Sequence, residues 1–153
     1  MATLFLICGL PGSGKTTLAK QIELSRSALR LCPDEWIESL LANDTDPVEL
    51  DRLRTPVESL QWEVAKRVLT LEVDVVLENG FWSQDERASY RSQAEALGAR
   101  VELIYLNVDR DELWARLSKR NANLPPGSFV VREDQLDLWL SWFEPPTVDE
   151  LES

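Results

Sequence analysis

The sequence predicts an α/β fold, a three-layer α/β/α sandwich whose mainly parallel sheet of about four strands is covered by helices on both faces and completed by a helical lid. Three observations predict it. Short apolar runs alternate with helix-periodic segments along the chain, and strands joined through helices pair in parallel. Helix starts are marked by capping boxes, Ser83 with Glu86 and Asp109 with Glu112. The third is the stretch Gly9 to Thr17, reading GLPGSGKTT, which carries Gly9, Gly14, Lys15 and Thr16 at GxxxxGK[ST] spacing between an apolar run and a helix-like one.

Taken in order, Thr3 to Cys8 is the strand that delivers the glycine loop to the top of the sheet, and Thr17 to Leu24 is helical. Ala28 to Cys32 is a short strand candidate running into Pro33-Asp34-Glu35. A helix follows with Trp36, Ile37, Leu40 and Leu41 at helical spacing. Asn43 to Pro47 is turn chemistry. A new helix is then expected, with Thr55 as N-cap, Pro56 at its first position, Glu58 closing the box, and a stripe of Val57, Leu60, Val64, Val68 and Leu71. Val73 to Leu77 is a buried strand ending at Glu78-Asn79-Gly80. The Ser83 helix carries Tyr90, Ala94 and Leu97 and stops at Gly98. Val101 to Val108 is the fourth strand, and the Asp109 helix holds Leu113, Trp114 and Leu117. Pro125-Pro126-Gly127 breaks regular structure within Asn121 to Val131; a last helix, about Glu133 to Phe143, precedes Glu144-Pro145-Pro146 and an acidic tail expected to fray.

A chain of 153 residues fits one domain, read as residues 1–153 with a lid at about 121–132. Hydrophobic residues at 44% and charged residues at 28% exclude disorder as the default. The net charge of −11 repels a nucleic-acid backbone and disfavours a polynucleotide partner. Cys8 and Cys32 sit inside or at the end of strands and read as buried small hydrophobes of a reducing, cytoplasmic compartment. Without histidine, a transition-metal site has almost nothing soft to bind to. The first apolar run ends at the glycine loop and reads as a core strand, not a leader, and no stretch is long enough to span a membrane.

The glycine loop implies a nucleotide. Gly9, Leu10, Pro11, Gly12, Ser13, Gly14, Lys15, Thr16 and Thr17 form the nucleotide-binding loop, whose glycines let backbone N–H groups close around phosphate oxygens while the following helix points its positive end at them. Lys15 reaches the β- and γ-phosphates and the Thr16 hydroxyl coordinates Mg²⁺, so the expected ligands are ATP and Mg²⁺. Ligands in such sheets bind beyond the carboxyl ends of the strands, where Asp34 and Glu78 stand. Asp34 is placed to take a proton from an attacking hydroxyl, with Glu35 its competitor and helix N-capping its structural alternative. Glu78 is placed to touch the metal, or simply to end a strand. Trp36, Phe81 and Trp82 are pocket candidates. Arg116 and Arg120, four apart beside the Leu113/Leu117 stripe and bordering the Pro-Gly segment, fit a closing lid, Arg120 as the catalytic arginine. Arg87 and Arg91, also four apart, are weaker candidates for substrate contacts.

With these residues placed, the chain resembles small P-loop kinases, AAA-type ATP-binding proteins of the branch that includes chloramphenicol phosphotransferase, the zeta-toxin kinases and the kinase domain of phage polynucleotide kinase. The resemblance rests on GLPGSGKTT, CPDEW, VVLENGFW, RLSKRNA and WFEPP, and covers nearly the whole length. It implies Asp34 as general base and Arg120 as a lid arginine. The chain departs from that branch in carrying Glu78 where Asp is commoner, and Arg132 where Ser or Thr caps the last helix. The expected activity is ATP-dependent phosphorylation of a hydroxyl on a small molecule. Two alternatives stand beside it: a nucleotide-dependent switch that hydrolyses slowly, and a polynucleotide 5′-hydroxyl kinase.

Overall fold

In the computed structural model, residues 1–42, 47–124 and 130–153 are described. Four parallel strands, β1 (Thr3–Cys8), β2 (Leu29–Leu31), β3 (Val75–Gly80) and β4 (Arg100–Tyr105), lie in the order β2-β3-β1-β4. Between and after them run α1 (Lys15–Arg26), α2 (Pro33–Leu41), α3 (Pro47–Thr70), α4 (Gln84–Ala96), α5 (Arg110–Ala122), α6 (Glu133–Trp142) and α7 (Val148–Glu152).

Side-chain alternation along β1 makes the three layers. Leu4, Leu6 and Cys8 face a core with Trp62, Ala65 and Leu69 of α3 and Ala94 of α4, while Phe5 and Ile7 face Ala19 and Ile22 of α1. A third cluster packs Leu10 of the glycine loop under Leu113 and Leu117 of α5 and Leu136 of α6. The central strand is buried on both faces, which is why it reads as a continuous apolar run.

The caps behave as expected at two helices. Ser83 accepts from the Glu86 N–H and Asp109 accepts from the Glu112 N–H. Three expectations fail. The helix expected to open at Thr55 is continuous from Pro47, so Pro56 lies in its interior and Thr55 is no cap; a box of local signals loses to packing of α3 along α2. Its buried face is Val57, Gln61, Trp62, Ala65 and Leu69, whereas Leu60 and Leu71 are 60% and 74% exposed. The acidic tail does not fray: Thr147 and Glu150 form a capping box and α7 docks back through Glu150 onto Arg87. Two expected segments, the turn at Asn43 to Pro47 and the lid at 121–132, fall partly outside the described residues. At the described base of the latter, the Asn121 amide donates to the Val131 carbonyl at 2.6 Å and accepts from the Val131 N–H at 3.0 Å.

Candidate active site

The glycine loop is the fixed wall of the site. Gly9 donates to the Gly80 carbonyl at 3.0 Å, which clamps the loop to the end of β3. Gly12 has φ +88°, and a β-carbon there would sit 3.0 Å from Leu117 Cγ, so α5 closes onto the loop only because the residue is glycine. The first N–H groups of α1, from Lys15 onward, have no partner within the helix and face the crevice. Ser13 is buried, and its hydroxyl has no protein partner among the described residues.

Lys15 Nζ lies 3.1 Å from the Leu10 carbonyl and 3.4 Å from that of Gly9, a weak pair of neutral acceptors for an ammonium. Burial pulls it below the ordinary lysine value, with the Asp34 and Glu78 carboxylates opposing. The Thr16 hydroxyl donates to Glu78 Oε1 at 2.6 Å. Glu78 Oε2 accepts from Arg30 of β2, whose guanidinium also holds both oxygens of Glu35 at 2.9 and 2.8 Å. Burial works against the Arg30 charge, but the two carboxylates outweigh it and hold the guanidinium above its usual value.

These elements line one crevice of about 430 Å³ at the carboxyl ends of the strands, with Lys15, Thr16, Asp34, Glu78, Arg116 and Arg120 on its walls. Asp34 is not the cap of α2, because the helix starts at Pro33 with Cys32 as N-cap; its Oδ1 accepts from Arg54 of α3 at 2.8 Å. Arg116 donates to Glu112 at 2.9 Å and reaches the Gly12 carbonyl at 3.4 Å. Arg120 is half-buried, and its Nε has no partner among the described residues. Burial lowers its guanidinium from the usual value and the Asp34 carboxylate opposes this.

Other sequence candidates lie elsewhere. Glu35 lines the crevice, and both of its carboxylate oxygens accept from Arg30. Phe81 is wholly buried in the core, edge-on to Tyr90. Trp82 braces the loop, donating from Nε1 to the Gly9 carbonyl at 3.3 Å and packing against Trp139. Trp36 is partly exposed on α2 and does not line the crevice. Arg87 and Arg91 donate to Glu150 of α7, and all three line a second cavity away from the crevice. Arg30, Arg54 and Lys20 were not singled out by sequence. For Arg30 a signal existed, since a charge inside a strand that packs beside β3 needs a carboxylate partner.

The donor set fits Mg²⁺ held jointly with phosphates. The Thr16 hydroxyl and the Glu78 carboxylate are adjacent hard oxygen donors, and no cluster of three His, Cys, Asp or Glu forms a cage among the described residues. Both Glu78 oxygens are engaged, Oε1 by the Thr16 hydroxyl and Oε2 by Arg30. No helix among the described residues is long and apolar enough to cross a membrane.

No curated protein matches this chain in sequence. Solved structures do match in fold. A candidate kinase from Chloroflexus aurantiacus aligns with TM-score 0.73 at 19% identity, over 95% of this chain and 82% of its own. A gluconokinase from Sinorhizobium meliloti aligns with TM-score 0.64 at 15% identity, over 96% and 78%. A sugar kinase from Janibacter sp. aligns with TM-score 0.67 at 17% identity, over 97% and 82%. The family model described as an AAA domain matches residues 4–146. A nucleotide-binding phosphate loop in its strand-to-helix setting, on a fold shared with P-loop kinases and matched by that model over nearly its whole length, makes this chain a member of the AAA domain family.

Proposed function

We propose that the chain is an ATP-dependent kinase that moves the γ-phosphate onto a hydroxyl of a small molecule, with Asp34 as general base. The observation that carries this reading is the meeting of Asp34, Lys15 and Arg120 around one crevice. The acceptor oxygen bonds to the γ-phosphorus as the bond from that phosphorus to the β,γ-bridging oxygen breaks; ADP leaves with the electron pair, and the hydroxyl proton passes to Asp34. Arg54 occupies Asp34 Oδ1, which orients the carboxylate and leaves Oδ2 for the acceptor. Lys15 exchanges two carbonyls for β- and γ-oxygens, a gain that a desolvated ammonium makes large. Arg120 neutralises charge on the transferring group, and its unpaired Nε is ready to donate. Thr16, with Glu78 beside it, would hold Mg²⁺, which would supply neutralisation of phosphate charge.

Asp34→Asn tests the base. Because Asp34 does not cap α2, the variant is expected to keep its melting temperature and ATP affinity while acceptor-dependent ADP release falls by roughly a hundredfold or more. Turnover within a few-fold of wild type would retire the assignment. The acceptor itself is to be found by screening hydroxylated metabolites for stimulated ADP release. The engagement of Asp34 by Arg54 favours a second reading, a nucleotide-dependent switch with slow hydrolysis, for which no acceptor stimulates release. The net charge of −11 speaks against a polynucleotide acceptor. Two buried free thiols support a cytoplasmic setting.

A further inference from the structure

Above the apolar core between β3, α3 and α4 lies a polar layer that phosphate transfer does not use. Val75 and Leu77 of β3 belong to this core, and the next residue of the same parity is Asn79. Its Nδ2 donates to the Tyr90 hydroxyl at 3.4 Å. The Tyr90 ring stands 4.5 Å from that of Trp62 and 5.1 Å from that of Phe81, so it forms the boundary between the core and the layer. On α3, Glu58 and Gln61 precede Trp62 and Ala65 by one turn on the inward face; on α4, Glu86 precedes Tyr90 by one turn.

This layer is polar at a cost. Gln61 is 0% exposed, and neither its Nε2 nor its Oε1 has a partner among the described residues; Asn79 Oδ1 is also buried and unpaired. Leaving such a group unsatisfied costs about 1–3 kcal/mol. Glu58 and Glu86 are half-buried and make no ion pair among the described residues, since Arg54, one turn before Glu58, gives its contact to Asp34. Burial pushes the Glu58 carboxyl up to about 7, with Arg54 opposing and Glu86 and Asp34 adding to it. Burial likewise raises Glu86, with Arg87 opposing.

We infer that this layer is the acceptor subsite, and that the acceptor carries a protonated amine as well as its hydroxyls, an amino alcohol or amino sugar. The word acceptor rests on the kinase reading; the affinity for a cationic polyol does not. An anion would meet two unpaired carboxyls, and a neutral polyol would satisfy the Gln61 and Asn79 amides but leave those carboxyls unpaired. An ammonium between Glu58 and Glu86 completes both, and the Arg54–Asp34 contact joins this layer to the crevice, so a hydroxyl on the same ligand can face the base.

The test compares glucamine with sorbitol, which differ by one amine in place of one hydroxyl, by calorimetry at neutral pH on the intact chain loaded with a non-hydrolysable ATP analogue. Glucamine is expected to bind at least tenfold tighter than sorbitol, and Glu58→Gln or Glu86→Gln to remove most of that difference. Glu63→Gln, on α3 but paired to Lys66 at 2.8 Å and exposed, is expected to preserve it. Should one variant be unfolded at the assay temperature, the other decides. Equal affinities, binding of neither probe, a difference that survives both substitutions, or one equally lost in Glu63→Gln overturns the inference. Glucamine binding with this dependence but without ADP release keeps the subsite and retires the kinase reading; ADP release with neutral polyols and no preference for the amine does the reverse.

Discussion

Two pairs of arginines, Arg87/Arg91 on α4 and Arg116/Arg120 on α5, have the same four-residue spacing and opposite fates. On α4 the fold supplies a partner. Arg87 is 2% exposed, donates to Glu150 at 2.8 Å and to the Phe81 carbonyl at 2.8 Å, and holds the C-terminal helix to the sheet. On α5 it supplies none among the described residues for Nε of Arg120, a residue that lines the crevice with Lys15 and Asp34. A buried charge that is paired is structure. A buried polar atom left without a partner is, on the kinase reading, a donor held for a ligand.

Arg120→Ala should break this comparison most visibly. We expect acceptor-dependent turnover to fall by about 10²–10³, the scale for losing one transition-state donor, with the melting temperature kept because the buried Nε of Arg120 has no partner among the described residues. Steady-state kinetics beside a thermal melt checks both halves, and a large drop in melting temperature would show that Arg120 is structural after all.

Arg87→Ala should do the reverse. Removing one partner of a buried ion pair is expected to cost about 3 kcal/mol, with turnover per folded molecule unchanged. Urea denaturation measures this. A loss of activity at full stability would move Arg87 back toward the ligand.

The carboxylates sharpen the same contrast. The hydrogen bonds from Arg87 hold Glu150 below its usual value, so its contribution is present above the unfolded value and is lost as pH falls through the folded one. Glu58, raised to about 7 by burial, works with the opposite sign: its ionisation costs stability progressively as pH rises from the unfolded value near 4.5 to 7, and the cost is complete above that. We expect Glu58→Gln to be more stable than wild type at pH 8, by on the order of 2 kcal/mol, and indistinguishable at pH 4. Denaturation at both pH values decides it, and equal stability at pH 8 would contradict the burial of that carboxyl.

Arg116→Ala is the smallest expected effect. Its exposed pair with Glu112 at 2.9 Å is worth about 0.3–0.5 kcal/mol. The melting temperature should hardly move and nucleotide affinity should fall only a few-fold by calorimetry; a hundredfold loss would make Arg116, and not Arg120, the arginine that matters.

The phosphate loop was legible because everything that makes it work is contiguous: strand, glycines, lysine, hydroxyl and helix dipole lie within Thr3 to Arg26. The caps at Ser83 and Asp109 were legible for the same reason, each closing a hydrogen bond within three residues. At α3 the local signal misled. The Thr55-Pro56-Glu58 box describes a good helix start, yet the chain is already helical from Pro47, and which face is buried follows from where α2 and the sheet lie.

By itself, then, the sequence determined the layer architecture and the presence of a nucleotide cradle, because strand parity, helix period and glycine spacing act over a few residues. The tertiary structure alone decided which charges are spent and which remain. Glu78 meets Arg30 across 48 residues, Asp34 meets Arg54 across 20, and Arg87 meets Glu150 across 63. The Glu78–Arg30 and Arg87–Glu150 pairs sit where burial strips water from both groups, and burial is a property of the packed layers that no local stretch of sequence carries.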